Sequence, residues 1–297
     1  MTTILSRYVE DVKANMKLNC SDEREFINEL TTHIEDRLEE LRESGLSEEE
    51  AANRCVAMLG SAKQLAHQIY EAHSQSTWRQ TLLACTPHIL FGVLFALNWW
   101  QSIGWLLMLL LLTVSTVIYG WCRGKPAWLF PWLGNSLLPA VAAGLLLISI
   151  PKGWSWVAVL VYCPLALWLL CSVSVQTIKR DWLYSSLMLL PVPITIAWLL
   201  AVQLDSSFPE YSIGRIYDYA PSIGLSFMAL ALTVAVFMRL RKRWLKVTIL
   251  LTSGVLTLIT VAYYADGRLS LGALTFLILL LFGLFVTPAL LQRTLKN

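Results

Sequence analysis

The sequence predicts an all-α protein in two parts: a small cytosolic four-helix domain over residues 1–77, then a polytopic transmembrane helix bundle of about eight spans over residues 78–297. Three observations predict it. Hydrophobic residues make up 56% of the 297 and charged residues only 14%, which is too apolar for one soluble domain. The charge is divided, with 9 Lys/Arg against 15 Asp/Glu in residues 1–80 and 14 against 5 in residues 81–297, a net of −6 followed by +9. All 13 Trp lie at Trp78 or beyond, as interfacial aromatic belts would place them.

Within the first part, Ile4 or Leu5, Tyr8, Val12 and Met16 recur at helical spacing and predict an amphipathic helix over residues 3–18. Ser21 is placed to cap the next helix, with Asp22 and Glu23 in a first turn where the helix dipole favours acids. That helix carries Phe26, Leu30, Ile34, Leu38 and Leu41 on one face, and Gly45 ends it. Ser47-Glu-Glu-Glu50 reads as a capping box with Leu46 as its staple. It opens a short helix through Ala51, Ala52, Cys55, Val56 and Leu59, closed by Gly60. Ser61 then starts a last helix with Leu65 and Ile69 facing inward. About 75 residues bury a modest core, so the domain is expected to need a partner, a dimer mate or the membrane face for full stability.

The order of these signals resembles the HTH-associated α-helical signalling domain and is similar to the permease-prefix domains. The matching residues are Glu29, Leu30, His33, Ile34, Leu46, Ser47, Glu50, Ala51, Leu59, Gly60, Leu65 and Ala66, within roughly residues 5–73. The resemblance implies a cytosolic module whose partner is a PadR-like winged-helix regulator or, by the prefix relatives, an ABC-type ATPase. Glu39, Glu43, Glu48, Glu49 and Asn53 are the candidate partner-binding residues. A net charge of −6 repels phosphate, so direct nucleic-acid binding is not expected.

In the second part, apolar runs of 18–22 residues predict spans at roughly 82–100, 103–121, 133–150, 155–176, 183–204, 221–238, 245–264 and 269–291. A six-span alternative makes residues 82–121 interfacial. With eight spans, twelve basic residues fall in the connections on one side and three, Lys152, Arg215 and Arg268, on the other. Such asymmetry predicts a multi-pass protein of the bacterial inner membrane with both termini in the cytoplasm. Its strongest marker is the cytoplasmic basic loop with Arg239, Arg241, Lys242, Arg243 and Lys246. Pro164, Pro191, Pro193 and Pro288 fall inside spans and are expected to kink them, and Pro126 with Pro131 is expected to bar a regular helix between Arg123 and Gly134.

The chemistry expected is sparse. No H-E-x-x-H, G-x-S-x-G or Walker-type string occurs, and no charged residue lies well inside a predicted span. Glu29, His33 and Asp36 share a helix face but read as solvated surface, and His88 as a packing residue, so no metal, cofactor or catalytic residue is assigned. The expected function is a non-enzymatic membrane sensor or regulator, with a permease-like component for a neutral or lipidic substrate as the alternative. The bilayer is the expected surrounding, and a homo-oligomer is compatible with it.

Overall fold

The computed structural model describes residues 3–16, 20–73, 75–149, 160, 164, 168, 171–178, 181–202, 209–265, 267 and 269–294. They are helical throughout, with no strand among them. The chain divides into two compact units, Met1–Ser76 and Thr77–Asn297, each with its own apolar cluster.

The first unit contains α1 (Thr3–Asn15), α2 (Cys20–Glu43), α3 (Glu48–Leu59) and α4 (Ala62–His73). Its cluster is built on Leu5, Tyr8, Val12, Leu30, Ile34, Leu38, Ala51, Ala52, Cys55 and Ile69, so each helix contributes one stripe. The left-handed backbone at Gly45 (φ +94°) and Gly60 (φ +79°) ends α2 and α3 at positions where a side chain would be strained.

The second unit contains α5 (Trp78–Ala96), α6 (Ile103–Cys122), α7 (Leu129–Ser149), α8 (Trp182–Leu189), α9 (Pro191–Val202), α10 (Pro209–Arg239), α11 (Arg243–Tyr264) and α12 (Leu271–Thr294). Among the described residues five stretches are long and apolar enough to cross a membrane: Ile103–Cys122, Trp182–Val202, Gly214–Arg239, Arg243–Tyr264 and Leu271–Gln292. The span expected at 155–176 falls largely outside the described residues, of which 171–178 are helical.

Prolines shape this unit in ways the sequence reading only partly anticipated. The Trp182–Val202 stretch breaks at Leu190, where Pro191 and Pro193 remove two amide donors from the ladder. Pro288, by contrast, lies inside an unbroken α12. The segment Arg123–Gly134 was expected to be irregular, but α7 starts at Leu129 and simply accepts Pro131 in its first turn, where no amide donor is needed. The turn before it is made by Gly124 and Lys125 in left-handed conformations.

Two of the carbonyls that these prolines orphan are recruited to join helices. Pro87 cannot donate to Leu83 O, and the Trp132 indole of α7 donates to it instead, at 2.8 Å. Pro288 cannot donate to Leu284 O, and the Ser186 hydroxyl of α8 fills that place at 2.9 Å. In an apolar surround an unpaired carbonyl is costly, so each proline creates a site that only a neighbouring donor can satisfy. Ser186→Ala is therefore expected to cost about 1 kcal/mol. In a Pro288→Ala background, where the amide of residue 288 returns, the cost should fall to near zero. A double-mutant cycle on unfolding midpoints measures that coupling, and equal costs in both backgrounds would refute it.

Helix α5 runs antiparallel along α10 for its whole length. The Arg239 guanidinium lies 4.4 Å from the Trp78 ring centroid, the Cys85 thiol donates to Ala231 O, and Phe91 packs 4.3 Å from Phe227. Further along, a Cβ at Gly224 would stand 2.8 Å from Gly92 O, so the two backbones touch there. Helix α6 is the opposite case, with a surface almost wholly uncovered by protein, including Ile103, Leu107, Leu111 and Ile118. An all-round apolar helix with so little protein contact is suited to lipid.

Candidate functional site

In the first unit, Glu39 and Glu43 lie on the last turns of α2, and Glu48, Glu49 and Asn53 on the first turns of α3. All five are exposed. They flank the connection through Gly45 and Leu46, so one end of the α2–α3 pair presents four carboxylates together. Apolar surface is open on the same helices: Met58 is 63% exposed, and beside it His33, Ile34, Arg37, Cys55 and Leu59 line a groove of about 330 Å³. The buried thiol of Cys55 is held above its usual range by desolvation, so it remains protonated and serves as packing.

The α3 cap fixes this surface. Ser47 Oγ accepts from Glu50 N, and Glu50 Oε2 accepts from both Ser47 N (3.1 Å) and Ser47 Oγ (2.6 Å). Those hydrogen bonds lower the Glu50 pKa below its ordinary value of 4.5. A folded pKa below the unfolded one stabilises the fold above pH 4.5, and that contribution is lost as pH falls through the folded value. Protection of the Glu48–Leu59 amides from hydrogen exchange, corrected for intrinsic rates, is expected to drop in that acid window. Glu50→Gln, which keeps the acceptor but does not titrate, should flatten the drop, and an unchanged profile would contradict the assignment.

Glu29 and His33 stand 4.0 Å apart on exposed α2. Among the described residues no group of three or more His, Cys, Asp or Glu is arranged to hold a metal ion.

In the second unit the basic loop needs correction. Arg239 closes α10, whereas Arg243 and Lys246 belong to α11, so the non-helical turn is only residues 240–242. Arg241 and Lys242 are exposed, but Lys246 is fully buried. The physical reason is the helical period: Lys246 lies one turn past Arg243, on the side of α11 that faces the bundle.

A buried acid stands on the same side of the bundle. Asp181 is 1% exposed and caps α8, its Oδ1 accepting from Leu183 N at 3.2 Å and from Arg243 Nη2 at 2.8 Å. Its other oxygen, Oδ2, is buried with no hydrogen-bond partner. Lys246 feels the Asp181 charge, and its Nζ lies 5.0 Å from the Phe237 ring centroid and 5.8 Å from that of Tyr184. These two rings meet edge to face at 5.5 Å. A carboxylate on one side and aromatic faces on another are what a desolvated ammonium requires. Gln292 of α12 completes the assembly by donating to Ile178 O at 3.3 Å. One end of the bundle is thus tied by side chains from α8, α10, α11 and α12, the last reaching a backbone carbonyl of the helical residues 171–178.

Sequence reasoning placed Arg243 and Lys246 here but singled out neither Asp181, Tyr184, Phe237 nor Gln292. One signal was available: Asp181 is the only acid among the twelve basic residues expected on that side. Elsewhere, His88 is 1% exposed with an unpartnered Nδ1 and a ring 6.4 Å from that of Phe227, and Asn135 Oδ1 and Ser185 Oγ are likewise buried without partners. No protein-family model matches the chain, and no curated protein or solved structure matches it either.

Proposed function

We propose that the chain is a non-enzymatic, multi-pass regulator of the bacterial inner membrane, with a cytosolic four-helix domain that binds a protein partner. The observation that carries the reading is the first unit, which has a self-contained core yet exposes carboxylates and open apolar surface on the same two helices. Such a surface suits a basic, partly apolar partner, and the resemblance of the first unit points to a PadR-like winged-helix regulator. Holding the regulator at the membrane would lower its free concentration without this chain touching DNA. Control of that binding requires two bundle states with different affinity for the partner.

The bundle in this reading has eight spans, with α5, α7 and the 155–176 segment added to the five apolar stretches. The close antiparallel packing of α5 on α10 supports its counting as a span, since α10 contains one of those stretches. The twelve basic residues then lie in the cytoplasm with both termini.

The test is capture with the full chain in nanodiscs against host lysate. A winged-helix regulator should be retained by the native protein and lost with Glu48→Lys/Glu49→Lys. Retention by both proteins, or capture of an ATPase subunit alone, would overturn the regulator reading. The break at Leu190 favours a second reading as a permease-like component for a neutral or lipidic substrate, because broken helices can line a transport cavity. Demonstrated flux would select it.

A further inference from the structure

We infer that the α10–α11 hairpin is a binding site for one anionic phospholipid, with an acyl chain in the groove between the helices and the headgroup on the basic turn above it. The groove has a volume of about 350 Å³ and is lined by Leu225 to Val236 on α10 and Ile249 to Thr260 on α11. Both helices contain stretches apolar enough to cross a membrane, so the groove opens into hydrocarbon. Twelve residues of helix on each side give it a length of about 16 Å. That matches one leaflet of a hydrocarbon core about 30 Å thick.

The lining looks polar by residue type but is not so in chemistry. The hydroxyls of Thr252, Thr257 and Thr260 donate to carbonyls of their own helix, and that of Thr233 is joined to Ser253 across the pair. The polar hydrogens are spent, which leaves methyl and methylene groups facing the space. The Thr233–Ser253 contact also pins the two helices together below the groove. Leu225, Leu232 and Leu256, all more than half exposed, form its open rims. The occupant is therefore an aliphatic chain.

The headgroup follows from what stands at the closed end. About one turn beyond Val236 the chain reaches the exposed Arg241 and Lys242, with Arg239 seated over Trp78 and Trp244 63% exposed beside them. Asp181, engaged with Arg243, is buried behind this turn. Cations at headgroup depth, with an interfacial Trp, select a negatively charged phosphate.

The test uses the full chain in phosphatidylcholine nanodiscs containing a trace of photoactivatable lipid. The probe is phosphatidylglycerol or phosphatidylcholine with a diazirine on one acyl chain, and cross-linked peptides are read by mass spectrometry. Peptides covering residues 225–236 and 249–260 should be labelled about fivefold more by the anionic probe, whereas α6 should be labelled equally by both. Arg241→Gln/Lys242→Gln should abolish the preference, and Arg241→Lys/Lys242→Arg should keep it, which separates charge from folding. Equal labelling of the groove by both probes in the native protein, or no more label there than on α6, overturns the proposal.

Discussion

Asp181→Asn is expected to destabilise the membrane unit by about 3 kcal/mol, the cost of leaving a buried cation without its counter-charge. The substitution keeps the size of the side chain and its amide oxygen can still cap α8, so the loss reports charge rather than shape. Arg243, 22% exposed at its side chain, retains some solvation, but Lys246 has none. Replacing the cation as well should recover part of the loss: Asp181→Asn/Lys246→Met leaves neither buried charge of that pair uncompensated. Unfolding in detergent, followed by Trp fluorescence, measures both variants. A double variant no more stable than Asp181→Asn would show that Lys246 draws nothing from Asp181.

Gly134→Ala should be comparably damaging, at about 3 kcal/mol or above, through overpacking. A Cβ at residue 134 would stand 2.0 Å from Met188 O and 3.0 Å from its carbonyl carbon, and both are backbone atoms. No rotamer change relieves such a clash, so α7 and α8 would have to separate. Their contact lies in the middle of the apolar cluster, among Leu133, Leu137, Leu187 and Met188. Gly283→Ala in α12 is the control. Nothing stands within 4 Å of a Cβ there, so the change should be neutral or stabilising by up to about 1 kcal/mol from helix propensity. Similar losses at both positions would indicate a general intolerance of Ala, not a close approach at Gly134.

The local signals in the sequence were legible because they depend on near neighbours. Ser47 and Glu50 are three residues apart, and the spacing alone defines the capping box that the structure contains. Leu5, Tyr8 and Val12 are buried at the helical period that marked them. The basic turn was legible for the same reason, as a run of like charge. Lys246 was not: the buried acid in its surroundings, Asp181, comes 65 positions earlier, and no periodicity in either segment reports that proximity. Gly134 was equally silent, because a glycine in an apolar run gives no hint of which backbone approaches it. The prolines divide in the same way. Pro191 and Pro193 together end a helix, a local effect, whereas the tolerance of Pro87 and Pro288 depends on Trp132 and Ser186 from other helices.

A shared cytoplasmic side for the acidic N-terminal domain and the basic turn is tested most directly by sided labelling of whole membranes. Glu48→Cys, Lys242→Cys and Gly267→Cys would each be exposed to a membrane-impermeant maleimide in right-side-out and inverted vesicles, counting the increment over the native cysteines. The regulator reading predicts that residues 48 and 242 react only in inverted vesicles and residue 267 only in right-side-out ones. Labelling of residue 242 from the outside, or of residues 242 and 267 from the same side, would contradict the topology on which that reading stands.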